Sequence, residues 1–135
     1  MSEDLTFRED TIRKGEGRTG IRMQFIDTGD GICVCLTGGE APHVGGTVLA
    51  SPRPSLTGRG DSCDLWIVTA PGHKDVYLAQ KIAGRLCSCL GINVSVTAGI
   101  HIDRAGKGEL ELIEQNALAA VEEYISRRSY GPDNA

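Results

Sequence analysis

Asp64-Leu65-Trp66-Ile67-Val68-Thr69-Ala70, closed by Pro71-Gly72, is the stretch whose reading decides the fold. Its β-branched and apolar residues predict a buried strand, and the Pro-Gly pair ends it. Immediately afterwards Val76, Ala79, Ile82, Ala83, Leu86, Cys87 and Leu90 recur at helical spacing, with Lys74, Gln80, Lys81 and Arg85 mainly on other faces. This pattern predicts an amphipathic helix from about Lys74 to Leu90, capped by Gly91. From Asn93 to Asp103 the chain alternates. Val94, Val96, Ala98, Ile100 and Ile102 fall on one face, and Ser95, Thr97, Gly99, His101 and Asp103 on the other. One face packs and the other is polar. Strand, helix, strand makes a βαβ unit, and a helical crossover of this length predicts that Asp64 to Ala70 and Asn93 to Ile102 are parallel neighbours.

Working outward, Ile21 to Ile26 and Ile32 to Thr37 flank Asp27-Thr28-Gly29-Asp30-Gly31, a cluster of turn formers that predicts a β-hairpin. Neither face of the second run is charged, so it reads as a central strand covered on both sides. Thr37 to Gly46 holds too many glycines for a helix or regular strand and reads as a structured loop. Thr47 to Ser51 returns as a strand, followed by a Pro/Gly/Ser loop to Asp61. A last helix is expected from about Glu109 to Arg127, with Leu110, Ile113, Ala117, Ala120, Val121 and Tyr124 as its apolar stripe and charges that suit the helix dipole. Residues 1–20 read as a polar arm or edge strand, 21–128 as one domain, and 129–135 as a flexible tail. The expected class is α/β (α+β), a mixed β-sheet with an N-terminal antiparallel meander, one βαβ unit and a C-terminal helix packed on the sheet.

Composition narrows the function classes. At 135 residues, with 40% hydrophobic and 24% charged residues, the chain suits one domain with a substantial core. A net charge of -4 supplies no basic field for nucleic acid. No run approaches the ~20 apolar residues of a membrane span, and the start Met1-Ser2-Glu3-Asp4 is acidic where a secretory leader is basic, so a cytoplasmic location is expected. The five cysteines read as reduced, buried thiols. The pairs Cys33/Cys35 and Cys87/Cys89 are spaced more closely than the paired ligands of structural zinc sites.

All three histidines stand at breaks in regular structure: His43 in the Gly-rich loop, His73 at the helix entrance and His101 near a strand end. They are expected to converge on one cleft, because binding residues concentrate on loops held by a rigid scaffold. At the junction Thr69 to Asp75 a strand runs straight into a helix, whose first turn offers unpaired N–H groups to an anion. Lys74 adds a charge, and Gly38-Gly39 and Gly45-Gly46 would let backbone approach a phosphate. The competing reading gives these glycines to tight turns and Lys74 to the solvated surface. His101 and Asp103 could share a ligand, a metal or a proton path, or could simply bond each other and cap the loop from Arg104 to Gly108. Neither dinucleotide-binding nor P-loop fingerprints occur.

Leu36-Thr37-Gly38-Gly39-Glu40-Ala41-Pro42-His43-Val44-Gly45, Gly72-His73-Lys74-Asp75 and Thr97-Ala98-Gly99-Ile100-His101-Ile102-Asp103 together resemble the signature stretches of LpdD-like prenylated-flavin chaperones. The resemblance runs from about Ile21 to Tyr124. It implies a protein that binds prenylated FMN and delivers it to a UbiD-type decarboxylase, with Gly38, Gly39, His43, Gly45, Gly72, His73, Lys74, Asp75, His101 and Asp103 as cofactor-binding residues. It implies no catalytic residue or metal ligand; the partners are the decarboxylase large subunit, the flavin nucleotide and a possible second copy of the chain. Two alternatives stay open: a small lyase or hydrolase using His43, His73, His101 and Asp103, with or without a divalent metal, and a non-catalytic interaction subunit of a decarboxylase complex.

Overall fold

The computed structural model describes residues 8–54, 56, 61–70 and 75–129. In chain order these form β1 (Glu9–Lys14), a 3-10 turn (Gly17–Thr19), β2 (Ile21–Asp27), β3 (Gly31–Gly39), β4 (Gly46–Pro54), β5 (Asp61–Thr69), α1 (Asp75–Leu90), β6 (Asn93–His101) and α2 (Lys107–Ser129). The strands make one mixed sheet of order β1-β2-β3-β6-β4-β5, with two helices packed on it, an α+β fold. No helix among the described residues is long and apolar enough to cross a membrane.

The β1-β2-β3 meander follows the turn chemistry of Thr28 to Asp30, where Thr28 N–H donates to the Gly31 carbonyl and Gly29 N–H to the Asp27 carboxylate. β3 then pairs with β6 in parallel, Cys35 opposite Thr97, and β4 pairs antiparallel with both β6 and β5. Consequently β5 and β6 run in the same direction within one sheet, as the crossover helix requires, but they are not neighbours: β4 lies between them. The correction has a geometric cause. Two strand spacings are about 10 Å, close to the width of a helix with its side chains, so α1 can span one intervening strand without strain. β4 pairs with β6 only from Gly46 to Ala50, and its Pro52 and Pro54 fall beyond that ladder, where a missing N–H costs no bond to β6.

The core lies between one face of the sheet and the two helices. Met23, Phe25, Val34, Leu36, Val48, Ala50, Val94 and Val96 supply the sheet side, and Ala79, Ile82, Leu86, Ala117, Ala120 and Val121 the helix side; all are buried. Tyr124 stacks on Phe25, its ring centroid 3.9 Å away. The other face carries no layer of described residues. Cys33, on that open face, and Cys89, on α1, are exposed, and Cys35 and Cys63 are half-buried, so of the five thiols expected to be buried only Cys87 is. β3 is central in order but covered on one side. β5 lies at the sheet's end, so the apolar run Leu65 to Val68 is exposed instead of buried. Leu110 leaves the α2 stripe and is exposed, whereas Ile113, Ala117, Ala120, Val121 and Tyr124 are buried as expected.

α2 is fastened at its end by Arg128, which donates to the Asp27 carboxylate at 2.6 Å. Burial pushes the Asp27 carboxyl up, but the Gly29 N–H and the Arg128 guanidinium outweigh it and hold it below its ordinary value of 3.8. A carboxyl depressed in the folded state stabilises above its unfolded pKa and loses that contribution as pH falls through the folded value. Asp27→Asn is thus expected to cost about 1.5–3 kcal/mol at pH 7, with the difference from wild type vanishing in strong acid; urea titrations at both pH values check it. The one-sided core makes a second prediction for the same assay. Leu36→Ala is expected to cost about 2–5 kcal/mol, while Cys33→Ala, on the same strand but the open face, changes stability by no more than about 0.5 kcal/mol.

Candidate functional site

Because β6 stands between β3 and β4, the segment 40–45 that joins those two strands must pass over the end of β6. It is tied down as it crosses. Glu40 N–H donates to the His101 carbonyl at 2.7 Å, His43 N–H to the Gly99 carbonyl and Gly45 N–H to the Ala98 carbonyl at 2.9 Å. The passage is so close that a Cβ on Gly99 would lie 1.5 Å from the His43 carbonyl oxygen. A Cβ on Gly45 would meet the Asp75 carboxylate at 2.1 Å, and one on Gly39, which also has φ +75°, the His101 carbonyl at 2.3 Å. Gly38 likewise abuts the Gly20 carbonyl. These glycines bring chain against chain, and through them two of the three signature stretches contact each other.

The crossing aims His43 at the start of α1. Its Nε2 lies 3.1 Å from Asp75 Oδ2 and its Nδ1 3.0 Å from the Ala41 carbonyl, so both ring nitrogens face acceptor oxygens. Asp75 Oδ1 accepts the Ile100 N–H at 3.0 Å. One largely buried carboxylate thus joins α1, β6 and the crossing segment and fixes the imidazole between them. His101 is more exposed and bonds Asp103 through Nε2 at 2.9 Å.

Between α1, α2 and the end of β6 opens a cavity of about 400 Å³, within the ~300–1,000 Å³ range of small-molecule sites. Leu78, Ala98, Ile100, Ile102, Ala105 and Ile113 give it an apolar wall. His43, Asp75 and His101 lie on that lining, and Tyr77, Lys81, Leu110 and Glu114 complete it. Of the residues singled out from the sequence, the cavity therefore brings together His43, Asp75 and His101. Asp103 lines an adjoining opening with Arg18, Arg104 and Glu109. Gly72, His73 and Lys74 lie outside the described residues, so the convergence of the histidines is seen for two of the three. No group of three His, Cys, Asp or Glu side chains among the described residues is placed to hold a metal.

Arg18 closes the rim beside Asp103. It donates to Glu109 at 2.7 Å, to the Asp103 carbonyl at 2.6 Å and to Glu40 at 3.2 Å. The Gly106 N–H and the Arg18 guanidinium hold the Glu109 carboxyl below its ordinary value. Lys81 and Glu114 pair across the helices at the cavity mouth. The sequence reading missed Tyr77, Lys81, Leu110 and Glu114. Tyr77 and Lys81 are four residues apart and so share a helix face, but only the position of α2 shows that this face borders a cavity.

Comparison with known proteins gives three findings. A family model described as the prenylated flavin chaperone LpdD-like domain matches residues 15–129. Protein LpdD of Lactiplantibacillus plantarum is 31% identical over 115 residues, covering 82% of this chain and 76% of that protein. A chain in the crystal structure of a chaperone complex for yeast 20S proteasome assembly superposes with a TM-score of 0.54 at 12% identity, covering 90% of this chain and 95% of that one, a likeness of fold alone.

The crossing is testable apart from any ligand. Gly99→Ala sets a methyl group against a backbone carbonyl that cannot move aside, and is expected to cost about 3 kcal/mol. Gly84→Ala, in the middle of α1 with nothing near its would-be Cβ, is expected to gain about 0.5–1 kcal/mol. Thermal unfolding of the two variants in parallel measures both.

Proposed function

The chain belongs to the prenylated flavin chaperone LpdD-like family, and on that basis we propose that it holds prenylated FMN in the cavity between α1, α2 and β6 and delivers it to a UbiD-type decarboxylase. The single observation that carries this reading is the cavity itself: an apolar wall with His43 and His101 beside it, built where two of the signature stretches meet. The residues fit such a ligand. Leu78, Ile100, Ile102, Ala105 and Ile113 suit a fused ring system bearing a prenyl group, and the histidines and Tyr77 offer polar contacts at its edge. When bound, the flavin would bring its own redox-active ring chemistry; the chain's part is to bind, orient and release.

Asp75 serves this arrangement by positioning His43, since its two oxygens hold the Ile100 N–H and the imidazole. The phosphate is assigned to Gly72, His73 and Lys74, which lead in sequence directly into Asp75 and α1. Release needs a mouth that is not locked. The pair that spans it, Lys81 with Glu114, is solvent-exposed on both sides, and such pairs contribute about 0–1 kcal/mol. An enzyme retains its cofactor through turnover, whereas a carrier must let go, and a weak closure suits the second role.

Anaerobic titration with prenylated FMN, followed by the visible flavin spectrum, tests the reading. Wild type is expected to bind with a shifted spectrum. Ala105→Trp, which fills the apolar wall, is expected to weaken binding by about tenfold or more, the effect of losing ~1.4 kcal/mol. Lys74→Ala is expected to weaken it about 10- to 150-fold through loss of a charge-assisted bond. Equal affinity of wild type and Lys74→Ala removes Lys74 from the site. Absence of binding by wild type rejects the carrier function.

A further inference from the structure

The two edges of the sheet are built differently. β1, at one end, carries Glu9, Asp10, Arg13 and Lys14, and α2 reaches over to it through Lys14–Glu123 and Arg127–Asp10 ion pairs. Charged residues of this kind keep an edge strand from pairing with another chain. β5, at the other end, pairs with β4 on one side only among the described residues, and from Leu65 to Thr69 it has no charged residue. Leu65, Trp66, Ile67 and Val68 are 39, 55, 43 and 72% exposed. Neighbouring residues of a strand point to opposite faces. Register with β4 places Trp66 and Val68 on the open face, opposite Leu49 and Thr47, and Leu65 and Ile67 on the helix-bearing face, opposite Ala50 and Val48.

This parity decides what could cover the strand. A partner stacked on the open face would shelter Trp66 and Val68 and leave Leu65 and Ile67 wet. A strand added alongside β5 extends the sheet and covers side chains on both faces at once. We infer that β5 is a strand-addition interface and that its occupant is β5 of a second copy of this chain, joined antiparallel about a two-fold axis at Ile67. In that register Ile67 faces Ile67 of the second copy, Trp66 faces its Val68, and Leu65 its Thr69. Asp64, already paired with Arg53 at 2.7 Å, falls opposite Ala70. Parallel pairing would instead bring the two Asp64 carboxylates side by side, a destabilising arrangement of like charges. The antiparallel contact is isologous and closed, so it ends at a dimer with one continuous twelve-stranded sheet, twice the six of one chain. This assignment does not depend on the flavin reading, because β5 lines none of the cavity.

Sedimentation equilibrium of the full chain is the test. Wild type is expected at twice 14.4 kDa. Ile67→Lys buries two unpaired charges at the axis and is expected to raise the dissociation constant at least about 100-fold. Because Ile67 lies on the helix-bearing face, a dimer formed by stacking open faces would tolerate that change. Trp66→Glu and Val68→Lys are each expected to weaken the dimer, and the double variant to restore it through two new Glu–Lys pairs across the axis. Recovery in the double variant also excludes misfolding as the cause of the single losses. A monomeric wild type, a dimer that survives Ile67→Lys, or a double variant no tighter than the singles overturns the proposal; a monomer would leave β5 to a strand from a different protein.

Discussion

The position of β6 between β3 and β4 is the constraint on which the rest depends. It makes one neighbour parallel and the other antiparallel, and it obliges the β3–β4 connection to cross the strand's end. The glycine requirements and the placement of His43 follow from that crossing. Gly99 must lack a side chain because a backbone passes over it, Gly45 because the Asp75 carboxylate lies against it, and Gly39 because the chain turns there at positive φ. Asp75, at the first turn of α1, then reaches both the crossing segment and β6, so a single carboxylate holds three elements in register.

Among the described residues the sheet is covered on one face only, and this divides its labour. The covered face carries the core, including the Phe25–Tyr124 stack, while the helices leave a wedge between them at the C-terminal end of β6. That wedge is the cavity. Ligand sites of open sheets commonly lie beyond the carboxyl ends of strands, where connections diverge, and here the divergence is the split of the chain around β6. A rigid sheet end and two helices set the walls, and Arg18 and the Lys81–Glu114 pair at the margins join segments distant in sequence.

Local patterning made most of the elements legible. The helical spacing from Val76 to Leu90 and the alternation from Val94 to Ile102 appear as α1 and β6 nearly as read, and the Asp27 to Gly31 turn makes its hairpin. What could not be read was non-local. Nothing in Thr47 to Ser51 says that this strand inserts between two others, so β5 and β6 were expected side by side. The apolar run Leu65 to Val68 reads as buried because the pattern reports a need for burial on both faces and not who provides it. Cys33 and Cys35 look like core residues for the same reason: small uncharged side chains are compatible with either environment. In the site, His43, Asp75 and His101 were visible as residues at breaks in structure, whereas Tyr77, Lys81 and Glu114 were hidden because a cavity wall between two helices has the same periodicity as an ordinary helix face.

The account's central claim is that this wedge is where the flavin sits. Anaerobic 1H–15N correlation spectra of the labelled chain, recorded with increasing prenylated FMN, test it most directly. The account predicts that perturbed amides cluster at His43, Asp75 to Lys81, Ile100 to Ala105 and Leu110 to Glu114. Perturbation confined to the open face around Cys33, Leu49 and Ser95, or spectra that do not change, would contradict it.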